Sequence, residues 1–291
     1  MSPPDTDSVQ RFHFETAAVR GEIVRLGASL REILGQHFYP APVAALLGES
    51  LAASVLLSST IKFAGSLSLQ AKSEGPVSIL FGECTHDRQI RGYARVAEGA
   101  AVGGLGELLS RGTLAITITP EQGQRYQGIV PLDAPRLAGC LEHYFAQSEQ
   151  LPTAILLACD GEHAAGLLLQ ALPVSAEAAA GQAASWDHLR HLACTATDAE
   201  LLGERFETLL FHLFHEERVR VQAPEPVRFG CRCSAERASS TLQSLGEAEV
   251  RAILAEQGTI LVHCEFCQQE YRYDAAALDA MFHVEVPPAR H

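Results

Sequence analysis

"GSLSLQAKSEGPVSILFGECT", residues 65–85, holds two strand-like runs separated by Glu74-Gly75-Pro76. Gly and Pro at that point interrupt the pattern and reverse the chain, so the segment predicts an antiparallel hairpin. The same grammar recurs on either side. "GEIVRLGASLREIL" (21–34) opens with alternating apolar residues, and "GTLAITITPEQGQRYQGIVPL" (112–132) reads as a hairpin around Glu121-Gln122-Gly123. "TAILLACDGEHAAGLLLQAL" (153–172) reads as another, turning at Asp160-Gly161. Between them, "APVAALLGESLAASVLLSSTI" (41–61) repeats Ala and Leu at helical spacing, and "RLAGCLEHYFAQSEQL" (136–151) predicts a further helix. The fold class that follows is α+β, with antiparallel β-sheets packed with helices in a large N-terminal domain.

At 291 residues and 47% hydrophobic content the chain has room for one large domain and one small one, each folded. "MSPPDTDSVQRFHFET" has two prolines, two aspartates and no apolar run, so neither a secretory nor a transit signal is expected there. No stretch reads as the roughly 18 consecutive apolar residues of a membrane span. The expected compartment is the cytoplasm, where thiols stay reduced and structural disulfides are rare. The net charge of −13, with Lys62 and Lys72 the only lysines, disfavours nucleic acid as a partner.

Composition changes after Pro173. Residues 174–217 lack strand signals and consist of helix formers; Thr197 with Glu200 forms a capping box. Leu202, Phe206, Leu209, Leu210, Leu213 and Phe214 then line one face of the helix expected from Thr197 to about Glu217. Two readings stand: the stripe packs permanently on the body, or its packing is conditional and it becomes a binding surface when released. Pro224 and Pro226 mark a linker before the last 60-odd residues, a segment too small to be stable without a staple.

Eight cysteines fall into two groups. Cys84, Cys140, Cys159 and Cys194 are scattered and read as small buried hydrophobes. Cys231 and Cys233 in "FGCRCSAE", with Cys264 and Cys267 in "VHCEFCQQEY", supply four soft thiolate ligands, the donor set of a closed tetrahedral zinc site. The spacing matches no ferredoxin run, so zinc is favoured over iron–sulfur. His263 is a lesser alternative ligand. A closed four-thiolate site leaves no position for substrate, so its first expected role is structural. Because the ligands come as two close pairs, a second role is open: oxidising each pair removes the ligands and unfolds the staple.

The cysteine segments, "CRC" and "EQGTILVHCEFCQQEYRY", resemble in order, spacing and flanks those of the redox-regulated heat-shock chaperones of the 33 kDa class. "EGPVSILFGECTHDRQIRGYAR", "GTLAITITPEQGQRYQGIVPL", "YFAQSEQLPT" and "AAGLLLQALP" are similar to segments of the same family, which thus covers most of the chain. Ile260-Leu261 stands where the family often carries aromatic residues. The resemblance implies a domain at 1–177, a helical linker at 178–227 and a redox-switch zinc-binding domain at 228–291. It implies one Zn(2+) per chain on Cys231, Cys233, Cys264 and Cys267 in a reduced, inactive form. It further implies that hypochlorite, or peroxide with heat, forms Cys231–Cys233 and Cys264–Cys267 disulfides, releases zinc, unfolds the C-terminal domain and loosens the linker. By the same resemblance the oxidised protein can dimerise and hold unfolding client proteins without ATP, and is not expected to be an enzyme.

Other function classes have weaker support. A thiol–disulfide oxidoreductase using "CEFC" would need that motif to open a helix, and a zinc-ribbon module for a protein partner predicts no gain of function on oxidation. There is no Gly-x-x-x-x-Gly-Lys loop, Gly-x-Ser-x-Gly elbow or His-Glu-x-x-His, and Gly104-x-Gly106 runs into Leu109 where a dinucleotide loop needs glycine. His212 and His215 are expected at solvent or a helix packing face. Glu83, Cys84, His86 and Asp87 imitate a nucleophile site, but a structural role is expected, with Arg91 and Tyr93 in a sheet and Gly92 at a tight position.

Overall fold

The structure, a computed structural model, describes residues 7–61, 64–97, 103–175 and 179–282. Contacts divide the chain into two compact units, Met1–Gly230 and Cys231–His291. The expected boundary at 177/178 lies outside the described residues.

In the first unit, β1 (Ser8–Phe14) and β2 (Val19–Leu26) precede α1 (Ala28–Leu34) and α2 (Ala41–Ser59). Then come β3 (Gly65–Lys72), β4 (Val77–Thr85), β5 (Gln89–Val96), the one-turn α3 (Leu105–Leu108), β6 (Thr113–Pro120) and β7 (Tyr126–Pro131). α4 (Leu137–Tyr144) runs into a π-helical turn at Phe145–Glu149, followed by β8 (Thr153–Cys159) and β9 (Ala164–Ala171). The helical segment holds α5 (Ala179–Ala193), α6 (Asp198–Gly203) and α7 (Phe206–Phe214). Short strands β10 (Val219–Val221), β11 (Glu225–Pro226) and β12 (Arg228–Phe229) close the unit.

Two six-stranded sheets result, one ordered β10-β1-β2-β9-β8 with β11 also on β1, the other β12-β5-β4-β3-β6-β7. All pairings are antiparallel except β12 on β5. The three hairpins read from the sequence are β3–β4, β6–β7 and β8–β9, with reversals where Gly and Pro or Asp-Gly place them. The expected α+β class of antiparallel sheets and helices is the observed one.

α2 packs against both sheets and is the centre of the main core, with Leu47, Leu51, Val55 and Leu56 fully buried. Its close approach depends on glycine: Gly82 and Gly92 face each other across β4 and β5, and a Cβ at Gly82 would stand 3.0 Å from Ser50 Oγ of α2, one at Gly92 3.0 Å from Leu51 Cδ2. By length and composition α2 does reach the dimensions of a membrane span, contrary to the reading of the sequence, but most of it is buried inside the fold. Its apolarity is therefore accounted for by two sheets covering opposite faces.

The first sheet's other face carries the second core. Phe12, Phe14, Ile23 and Leu167 meet Leu189, Leu201, Leu209, Leu213 and Phe214 of α5 to α7. Phe14 and Phe214 stack edge to face at 5.0 Å between centroids. The helix expected from Thr197 to about Glu217 is in fact two. Glu204 and Arg205 are extended, and Arg25 Nη2 donates to the carbonyls of Leu201, at 2.8 Å, and Glu204, taking acceptors that a continuing helix would have used itself.

In the second unit, α8 (Ala235–Leu245) and α9 (Glu247–Gln257) lead through left-handed Gly258 to a hairpin of β13 (Ile260–His263) and β14 (Glu270–Tyr273), then α10 (Ala275–Phe282). Its core is small: Ala238, Leu242, Val250, Ile260, Tyr273 and Leu278. Such a core needs an added constraint.

Candidate metal centre

The turn joining β13 to β14 holds Cys264 and Cys267, while Cys231 and Cys233 lie on extended chain just before α8. Each turn has a local reason to form. Cys264 N–H donates to Gln269 O at 3.0 Å, Gln268 N–H to Cys264 O at 2.9 Å, and Gln268 adopts the left-handed φ of 54° that closes the turn. Ser234 caps α8 by accepting from Arg237 N–H at 3.3 Å, which stops the chain immediately after Cys233.

These turns bring four sulfurs together, all within 4.8 Å of one another. Cys231 and Cys264 Sγ are 3.6 Å apart, Cys233 and Cys267 Sγ 3.4 Å, and all four are free thiols, partly buried. Such a set can hold a metal ion. Backbone N–H groups point at two of the sulfurs, from Cys233 to Cys231 and from Gln269 to Cys267. Burial pushes the thiols of Cys231 and Cys267 up. Burial also opposes ionisation of Cys233, but hydrogen bonds from the Tyr271 hydroxyl and the neighbouring thiols outweigh it and bring that group down to about 7. One sulfur of the cluster is thereby favoured as thiolate, the form that binds metal and reacts with oxidants.

Two tyrosines of β14 were not singled out by sequence reasoning. Tyr271 pairs across the hairpin with Val262 and hydrogen-bonds Cys233; Tyr273 pairs with Ile260, and its hydroxyl reaches Ser239 Oγ (3.2 Å) and Ala235 O (3.1 Å). The alternation in "EYRY" puts both on one face of the strand, the available signal for them. His263, the alternative ligand, is exposed, with Nε2 3.9 Å from Glu270. "CEFC" occupies a turn between strands rather than the start of a helix, so it lacks the helix N-terminus that activates a catalytic Cys-x-x-Cys pair.

The other sequence candidates fall elsewhere. Phe206, Leu209, Leu210, Leu213 and Phe214 are buried on the first sheet, Leu202 is half-buried, and Phe211 between them is 66% exposed. His212 Nδ1 lies 3.0 Å from Glu204, and His215 is exposed. Of the scattered cysteines, Cys84 and Cys140 are core as expected, whereas Cys159 is half-buried and Cys194 exposed. Cys84 has its thiol pushed up to about 11 by burial, and Glu83 is tied to Arg91 Nε at 2.5 Å, so neither is poised as a nucleophile or base.

The family model described as Hsp33 protein matches residues 7–274. The chain belongs to the Hsp33 family. Among curated Hsp33 relatives, a protein named 33 kDa chaperonin from Azotobacter vinelandii is 50% identical over 282 residues, 96% of this chain and 95% of its own. One of the same name from Shewanella woodyi is 45% identical over 277 residues, 95% of this chain and 96% of its own. The crystal structure of a 33 kDa chaperonin from Thermotoga maritima superposes with a TM-score of 0.77 at 20% identity, covering 94% of this chain and 97% of that one, a likeness of fold.

Proposed function

We propose that this Hsp33-family chaperone is an ATP-independent holdase switched by thiol oxidation. The observation that carries the reading is the convergence of four sulfurs, drawn from two close sequence pairs, within 4.8 Å. A tetrahedron of sulfurs around zinc, with bonds of about 2.3 Å, has edges of about 3.8 Å; separations of 3.4 and 3.6 Å fit that frame. Cys231, Cys233, Cys264 and Cys267 would hold one Zn(2+) per chain. When bound, the ion supplies a cross-link between the segment before α8 and the β13–β14 turn, a staple for the small core beside it.

In the reduced state the staple keeps the second unit folded and the chaperone inactive. Peroxide or hypochlorite oxidises Cys231 with Cys233 and Cys264 with Cys267. With peroxide, each pair of thiols gives up two electrons and two protons, one S–S bond forms, and the peroxide O–O bond breaks to give two waters. Sulfurs tied in disulfides no longer serve as donors, so the ion is lost and the unit unfolds. The functional segments are then 1–177, the linker 178–227 and the switch 228–291. Loosening of the linker uncovers the stripe of Leu202, Phe206, Leu209, Leu210, Leu213 and Phe214, and each large side chain so exposed costs roughly 1.5–3 kcal/mol in water. Binding an unfolding client, or dimerising, recovers that cost. The setting is the cytoplasm, where reduced thiols are the resting state.

The test is light scattering of a heat-denatured client, run with reduced zinc-loaded protein and with peroxide-treated protein, alongside zinc release and disulfide mapping. Suppression of aggregation only after oxidation, with both local disulfides and loss of one zinc, is expected. Equal suppression by both forms would overturn the reading.

A further inference from the structure

Three stretches of sequence, "GTLAITITPEQGQRYQGIVPL", "YFAQSEQLPT" and "AAGLLLQALP", meet at one cavity of the first unit, about 410 Å³ in volume. None of their polar residues has a place in the proposed redox switch. Leu57 of α2, Leu67, Ile116 and Ile118 of the second sheet, and Leu151 give the cavity apolar walls. Two side chains of opposite charge line the same space from different elements, Arg20 of β2 and Glu149 of the π-helical turn. Neither has an ion-pair partner among the described residues, although buried Glu22 feels the charge of Arg20.

Arg20 is half-buried and bound by neutral acceptors: Nη1 donates to Thr60 O at 3.2 Å and Nη2 to Gln170 Oε1 at 2.6 Å. Gln170 is fixed in turn, its Nε2 donating to Thr153 Oγ1 at 3.0 Å. Each terminal nitrogen of an arginine carries two N–H groups, so one on each is left over. Glu149 is exposed and held by neutral donors, its Oε1 lying 2.9 Å from the Tyr144 hydroxyl and 3.2 Å from that of Tyr126. Its Oε2 makes no hydrogen bond among the described residues. The rings of Tyr126, Tyr144 and Phe145 line the space beside this carboxylate. Tyr144 is seated by Gly128 of β7, where a Cβ would collide with its hydroxyl, and Gln150, at a left-handed φ of 54°, ends the turn that carries Glu149. Isolated π-helical turns of this kind recur at functional sites.

We propose that this cavity binds a small zwitterion with an apolar body, a free apolar amino acid or a dipeptide, with its ammonium on Glu149 and the aromatic rings beside it and its carboxylate on Arg20. The apolar walls call for an aliphatic or aromatic side chain. A plain cation would gain Glu149 and the ring faces but would share an apolar space with Arg20, and a plain anion would meet Glu149 in the same way. A molecule with both charges satisfies each wall and brings no net charge into the cavity. Residues of both sheets, α2 and the π-helical turn line the space, so the ligand would tie these elements together. Binding does not depend on the state of the four sulfurs in the second unit.

Calorimetry on the reduced full chain, with NMR of isoleucine methyl groups to locate the site, tests the cavity with leucine, leucyl-leucine, N-acetyl-leucine and leucinamide. Leucine or leucyl-leucine is expected to bind and to shift the Ile116 and Ile118 methyl signals, and the tighter of the two identifies the source. N-acetyl-leucine, which lacks the ammonium, and leucinamide, which lacks the carboxylate, should each bind about tenfold more weakly than leucine. Glu149→Gln, at an exposed position, should weaken leucine about tenfold and leave N-acetyl-leucine no weaker. Arg20→Met should remove the preference for leucine over leucinamide. If Arg20→Met fails to fold, the comparison of leucine with leucinamide on the unaltered chain carries that arm. Failure of both leucine and leucyl-leucine to bind, binding that leaves the Ile116 and Ile118 signals in place, N-acetyl-leucine or leucinamide that equals leucine, or Glu149→Gln that binds leucine unchanged would each overturn the proposal.

Discussion

Arg88 Nε donates to Glu225 Oε2 at 2.8 Å, joining the turn between β4 and β5 to β11, the short strand that lies shortly before Cys231 in sequence. Arg88 is held there by geometry as well as charge: its φ is 61°, its Nη1 reaches Ser58 Oγ at 3.3 Å, and its carbonyl accepts from Arg228 N–H at 3.1 Å. Arg11 approaches the other oxygen of Glu225. One carboxylate thus unites β1, the β4–β5 turn and β11.

Removing that carboxylate should loosen β11 and the chain that leads to Cys231. Burial opposes ionisation of Glu225, but the hydrogen bond and charge of Arg88, with Arg11 beside it, hold the group below the ordinary range. A depressed carboxylate contributes stability that is present above the unfolded value near 4.5 and is lost as pH falls through the folded one. Glu225→Gln should therefore cost about 1–3 kcal/mol at pH 7, and the difference from the unaltered protein should shrink below about pH 4. Urea unfolding across pH measures it; a gap that persists undiminished into acid would contradict the assignment.

Glu22 works in the opposite sense. It is 2% exposed, its Oε2 has no hydrogen-bond partner among the described residues, and burial raises the group to about 7 despite the charges of Arg20, Arg11 and Arg88. Between about pH 4.5 and 7 the folded state holds a proton that the unfolded state has lost, so stability from this group falls as pH rises through that window. Glu22→Gln should be more stable than the parent at pH 8, by at most about 3 kcal/mol, and nearly equal to it at pH 4.5. Denaturation at the two pH values decides, and equal differences at both would sink the argument.

Leu209 is 1% exposed in the core between α7 and the first sheet. Leu209→Ala should cost about 2–5 kcal/mol of docking and raise exchange of α7 amides. If the stripe is the conditional client surface, the reduced variant should suppress client aggregation better than reduced parent protein. A variant with unprotected α7 amides and no gain in suppression would separate the stripe from client binding.

Metal removal should unfold the second unit and spare the first. The six-residue core is small, whereas binding of a structural zinc by such thiolates is worth about 10–16 kcal/mol. Chelation under reducing conditions should erase the amide dispersion of residues 231–282 in NMR spectra while leaving signals of the first unit in place. Retained dispersion after complete metal loss would show that the unit folds on its own.

Much of the fold was legible because it is local. Gly75-Pro76 and Asp160-Gly161 turn strands wherever they stand, and the Thr197–Glu200 box starts α6 as read, with Glu200 N–H donating to Thr197 Oγ1 at 3.2 Å. The cysteines were legible as a donor set because thiolate chemistry survives any arrangement of the rest. Less legible was the end of α6, since the group that terminates it, Arg25, is far away in sequence and was read as part of a strand. The length of α2 was read closely, but its membrane-like apolarity was not, because Ser50, Ser54 and Ser58 interrupt its apolar run although all are buried.

By itself, the sequence determined the class of fold, the hairpins, the amphipathic stripe and the identity of the four sulfurs, all consequences of side-chain chemistry and short-range periodicity. Only the tertiary structure decided which sulfurs sit at 3.4 and 3.6 Å, that the stripe is docked on the outer face of the first sheet, and that Arg25 Nε and Gln10 Oε1 are buried without a hydrogen-bond partner among the described residues. The physical reason is range. Periodicity and capping act over a few residues, whereas burial, pairing and the satisfaction of polar atoms depend on chain segments that meet only once the sheets have closed.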